Sequence, residues 1–177
     1  MLNENNLNLA GWMAVLNATL SLVLILFISS TGSNLLTSSL SLTTAALTVY
    51  LLNILKQLLN QRANFYAGDA YISIIIWFTV AFAVLEVFSI PLSFIGSLYE
   101  ALALILLIPL GIIYILWGYK LLQCESDLYG YLKPYAYLII ITGISMATVI
   151  FILLGFFTGL ISDVLLALLF LRAAKES

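Results

Sequence analysis

The chain has no histidine, one cysteine, three prolines and only six basic residues in a length of 177. Each shortage closes off a class of function. Without histidine there is no His-ligated haem, no His-containing metal site and no Ser-His-Asp triad. A lone Cys124 permits no intrachain disulfide and no CxxC pair, and therefore no dithiol redox chemistry. Six scattered Lys and Arg residues are too few to build a nucleic-acid surface, so no nucleic acid is expected as a partner. Charged residues make up 8% of the chain, far less than a soluble domain of this size needs to cover its surface. No P-loop or dinucleotide-binding glycine pattern occurs. The expectation is a protein that is not an enzyme and has no cofactor and no metal site.

What is present is apolar. The chain is 64% hydrophobic, with a mean hydropathy of +1.18. Most of its apolar runs are about 20 residues long, enough for a helix to cross the hydrocarbon core of a bilayer. The expected fold class is all-α: a polytopic integral membrane helical bundle forming one transmembrane domain over residues 1–177. The first nine residues are polar and carry Glu4 but no Lys or Arg. They lack the basic flank of a secretory signal, so the first apolar run is expected to be a retained span.

Six transmembrane helices are predicted, over residues 10–29, 35–59, 70–90, 99–119, 134–154 and 159–171. Pro91 closes the third, because proline cannot donate the next helical hydrogen bond. Pro109, in the middle of the fourth, predicts a kink. The last apolar region is too long for one helix and slightly short for two. Gly155 and Gly159 bracket its expected division and leave a short final span. Six crossings place Lys56, Arg62, Lys120, Lys133, Arg172 and Lys175 on one side of the membrane. Short cytoplasmic loops accumulate Lys and Arg, so both termini are expected to be cytoplasmic, in a bacterial-type plasma membrane or its equivalent. A five-span alternative strands Arg172 and Lys175 outside or in a re-entrant segment.

Several smaller signals accompany this topology. Tyr66, Tyr71, Tyr119, Tyr129, Tyr131, Tyr135 and Tyr137 fall near the inner boundary, as an interfacial belt would. Residues 94–100 align with residues 157–163, a repeat that would make three helical hairpins the unit. Small residues four apart occur at Ala14 and Ala18, at Gly143 and Ala147, and at Gly155 and Gly159, a spacing that allows close helix contact.

Ionisable groups inside apolar spans are costly and mark candidate sites. Glu86, Glu100 and Asp163 qualify, all toward the outer side and with no basic residue there. They form the candidate site for an ion or a partner. The competing reading places Glu100 and Asp163 at helix N-termini, where the macrodipole favours an acid. Asn17 and Asn53 are the polar residues expected to make interhelical hydrogen bonds, on the order of 1 kcal/mol each. Two functions fit these features. One is a non-enzymatic accessory, assembly or scaffold protein that packs against membrane lipids, other membrane proteins or copies of itself. The other is a small transporter or substrate-capture subunit that uses the outer carboxylates for a cation, a proton or a small solute.

Overall fold

The computed structural model describes residues 2–29, 34–89, 93–148 and 151–176, with side chains described for 2–26, 36–87, 104–148, 151 and 153–176. Among these residues the chain forms six α-helices and no strand: α1 (Glu4–Ser29), α2 (Asn34–Arg62), α3 (Asp69–Ser89), α4 (Ser93–Leu122), α5 (Leu132–Thr148) and α6 (Ile152–Lys175). A short 3-10 turn, Leu128–Gly130, precedes α5. In a chain this apolar, helices satisfy every backbone N–H and C=O within one segment, which lipid cannot do for them. α1, α2, α3, α4 and α6 are long and apolar enough to cross a membrane, which marks a multi-pass membrane protein. Their outward faces are apolar: Trp12, Trp77, Ile105, Leu153 and Phe157 are each more than 60% exposed.

The helices form a ring. Each packs against its neighbours in sequence, α1 closes the circle on α6, and among the described residues the backbones of opposite helices do not come together. α4 lies closest to α5 and α1 to α6. The tightest pairs are therefore not the three sequence hairpins, and packing lends the proposed repeat no support. At one end of the ring Leu2 N–H donates to Gln61, and Arg62 donates to the Tyr129 hydroxyl and the Glu176 carbonyl. Both chain ends thus meet the end of α2 and the turn before α5. Lys56 pairs with Asp69 at 3.7 Å and Arg172 with Glu176 at 2.8 Å at the same end.

Among the described residues, the apolar core lies in the half of the ring that carries these basic residues. Leu7, Ala10 and Ala14 of α1 meet Leu166, Phe170 and Ala173 of α6, and Leu51, Leu55 and Leu58 of α2 join them. Small residues let the helices approach. A Cβ on Gly111 would lie 2.6 Å from the Gly143 carbonyl oxygen, and one on Gly143 would lie 2.6 Å from the Gly111 carbonyl oxygen, so glycine alone fits this α4–α5 contact.

Two sequence expectations change here. The last apolar region does not divide at Gly155–Gly159. It divides after Thr148, and both glycines lie inside α6. Gly155 packs near Ser145, while a Cβ on Gly159 would meet open space. The break falls where α6 gains a full crossing of 24 residues, about 36 Å, and α5 is left with 17, about 26 Å. The short helix is the fifth, not the sixth. The α4 helix runs through Pro109 without interruption. Pro91 lies outside the described residues.

Candidate functional site

Between the backbones of opposite helices, the other half of the ring holds a chamber of about 490 Å³ lined by residues of all six helices. Its floor is the upper surface of the core: Leu51, Leu52, Trp117, Tyr135, Ile139 and Leu166. Tyr114 and Tyr135 meet the Trp117 ring edge-on, with centroids 6.1 and 5.9 Å away. Such T-shaped pairs set positive edges against negative faces and hold the three rings in place. From this floor the chamber runs past Thr48 and Ser41 toward the end of the bundle opposite the basic residues.

Asp163 sits at the middle of α6 and lines the chamber. This placement removes the helix-terminus explanation, since the dipole acts only over the first turn. Asn17, 3% exposed, reaches across from α1 and donates its amide to Asp163 Oδ2 at 2.9 Å and, more weakly, to Thr48 Oγ1 of α2 at 3.5 Å. A carboxylate only accepts, which dictates that the amide NH₂ group faces it. The Asn17 Oδ1 atom is then buried with no hydrogen-bond partner among the described residues. A buried acceptor of this kind costs free energy unless something donates to it. Asp163 also lies within electrostatic reach of Tyr114 and Tyr135.

Glu86 lines the same chamber from α3 and accepts a hydrogen bond from the Ser41 hydroxyl of α2. Ser41 and Thr48 are seven residues apart on α2, so the two carboxyl groups sit at depths about 10 Å apart. They share a chamber without sharing an ion. No Lys or Arg is among the lining residues. The third acid, Glu100, belongs to α4, and its side chain lies outside the described residues.

Other expected residues are distributed differently. Asn53 makes no interhelical bond. It is exposed on α2, and its amide donates to the Val49 carbonyl of its own helix at 2.9 Å, the local alternative open to any Asn in a helix. Tyr135 does not join the interfacial belt, being 3% exposed beneath the chamber, whereas Tyr66, Tyr119 and Tyr137 are well exposed. Trp117 is fully buried, with its indole N–H beside Gly68.

Sequence reasoning missed Ser41, Thr44 and Thr48, which line the chamber, and Tyr114, which walls it. Their signal was present. Residues 41, 44 and 48 recur at steps of three and four, which puts them on one face of α2. Ser39 and Thr43, off that face, bond back to their own helix at 2.9 and 2.8 Å, as Thr44 on it also does at 2.9 Å. A hydrogen bond between Thr142 and Thr158 at 2.8 Å joins α5 to α6 beside the chamber. No family model matches this chain, and neither a curated protein nor a solved structure shows significant similarity to it.

Proposed function

We propose that this protein is a non-enzymatic membrane protein that captures a cationic species, a proton or a small cation, in its chamber and passes it along the ring axis. One observation carries the reading: Asp163 and Glu86, from different helices, line one chamber that holds no basic residue. An intramembrane carboxylate is stabilised by a bound cation or proton, and two at different depths form steps on a path. Asn17 holds the deeper acid in a defined orientation. The topology completes the proposal. Six crossings, with the short α5 as one of them, and the basic end in the cytoplasm follow from the one-sided Lys and Arg. The chamber then points away from the cytoplasm.

The accessory or scaffold role is the second reading, and the outward apolar faces of Trp12, Trp77 and their neighbours suit it. It leaves the inward polar groups without a purpose, because a surface built for packing against partners carries its specific groups outside. Reconstitution into liposomes separates the two. Wild-type protein should raise the flux of protons, Na⁺ or methylammonium under an imposed potential at least about tenfold over empty vesicles. Asp163→Asn should abolish this flux and Glu86→Gln should reduce it. Flux equal to that of empty vesicles for all three probes, together with recovery of a stoichiometric protein partner in mild detergent, would return the accessory reading.

A further inference from the structure

We infer that the chamber takes an organic ammonium ion with an apolar body, and that this ligand passes between lipid and chamber through the seam of α2 and α3. The inference rests on the cation-binding reading above and adds a ligand class and a route.

The route comes from two cavities that share a wall. On the outer face of the α2–α3 pair lies an apolar groove of about 480 Å³, bounded by residues such as Ala46, Val80 and Val84. Ala45, Thr79 and Ala83 line this groove, and the same three residues line the chamber. Only small side chains therefore separate the lipid-facing groove from the polar interior. The seam is also thinly packed at this level. Among the described residues, the buried apolar residues of α2 begin at Leu51 and α3 has no buried residue after Ile75, while the Ser41–Glu86 hydrogen bond ties the two helices farther out. Parting the pair between that bond and the core loses little apolar burial, and a segment with few buried contacts opens most readily.

The ligand class follows from what the walls offer. Among the described lining residues, two carboxyl groups and no basic residue set the charge of the occupant. The Asn17 amide, which donates to Asp163, is neutral and leaves that charge without a counter-ion. At the floor Tyr114, packed on the buried Trp117, keeps part of its surface exposed, and ammonium groups are attracted to aromatic faces. Between floor and mouth the walls are largely apolar, with Ile25, Phe82, Leu107, Met146 and Phe156. A hydrated metal ion gains nothing from those side chains, and an alkyl or aryl body buries itself against them. The same apolar body partitions into lipid, where the groove opens.

The test measures binding of radiolabelled octylammonium and methylammonium to the full-length protein in lipid nanodiscs. Octylammonium should bind at least about tenfold more tightly than methylammonium, and Asp163→Asn should weaken it at least about tenfold. In the double variant Ala45→Cys/Ala83→Cys, bridging the seam with an oxidant or a short bismaleimide should slow octylammonium association at least about tenfold. Reduction of the disulfide should restore the rate, and wild-type binding before bridging shows that the variant is folded. If that variant does not bind before bridging, Ala46→Trp, which fills the groove from the lipid side, takes its place under the same criterion. Unchanged association after the seam is blocked overturns the route. Equal affinities for the two amines, both lost in Asp163→Asn, overturn the ligand class and leave the cation site standing. Binding of neither amine, with no cation flux, sinks the underlying reading as well.

Discussion

Asn17 shows how a single neutral side chain changes the meaning of an acid. Asp163 without it would be one carboxyl group in an apolar helix. With it, the carboxyl is oriented by a donor at 2.9 Å and joined to α1 and, through Thr48, to α2. An Asn17→Ala substitution should therefore weaken cation capture by removing the orientation while leaving the Asp163 charge in place. Cys124 is the opposite case, a reactive residue type in an inert setting. It lies just past α4, outside the membrane-spanning helices, and is 4% exposed. Burial pushes its thiol up from the usual range, the charges of Glu125 and Asp127 add to the rise, and a hydrogen bond from the Ser126 backbone opposes it. A raised value means less thiolate at neutral pH, and thiolate is the species that reacts. Maleimide labelling at pH 7.5 should run at least about tenfold more slowly in the native protein than after denaturation in detergent. The rate should climb as pH rises beyond the ordinary thiol range. Equal rates in the native and denatured states would contradict the burial.

At the scale of elements, the α4–α5 contact depends on backbone meeting backbone. A side chain at Gly111 collides with Gly143 and Ala147 main-chain atoms at 2.6 Å, and main chain cannot swing aside as a flexible side chain can. Gly111→Leu should cost about 1–3 kcal/mol or more through overpacking. Gly159→Ala, which adds a methyl group facing open space, should cost little. Thermal unfolding in detergent checks both, and a Gly111→Leu midpoint equal to wild type would refute the close approach. The Gly143 and Ala147 spacing was visible in the sequence, but its partner Gly111 was not. Packing in a membrane helix is specified by small residues on a face, and nothing in the linear order says which two faces meet. The same limit explains the misplaced division of α5 from α6. Lipid does not compete for backbone hydrogen bonds, so Gly155 and Gly159 are as compatible with helix interior as with a turn.

For the whole molecule, the ring separates two tasks. The basic half is filled with Leu, Ile, Ala and aromatic side chains and supplies the stability, while the other half stays open around polar groups. Six helices in a ring bring both termini to one end. Reporter fusions at residues 1 and 177 should both report the cytoplasm. Opposite reports would overturn the six-crossing topology and, with it, the outward direction of the chamber. The helical, membrane-borne character of the fold was legible throughout, because length and apolarity set it. The site was legible only in part. Glu86, Asp163 and Asn17 stood out as polar residues in apolar runs, but Ser41, Thr48 and Tyr114 did not, since each is ordinary in a membrane helix. Asn53 looked equivalent to Asn17, yet the two face opposite surroundings, and only the neighbours on each face distinguish them.

The chain by itself therefore determined the solvent it lives in, the helical character of its segments and the end at which its positive charge collects. These follow from composition and from the thickness of a bilayer, which act on each segment separately. The tertiary structure decided that the helices close into a ring, that Asp163 lies at mid-helix rather than at a terminus, and that it shares a chamber with Glu86. These are relations between segments far apart in sequence. Apart from the row of Ser41, Thr44 and Thr48 on α2, the helix faces are apolar enough to face either lipid or protein, so periodicity says little about which side turns inward.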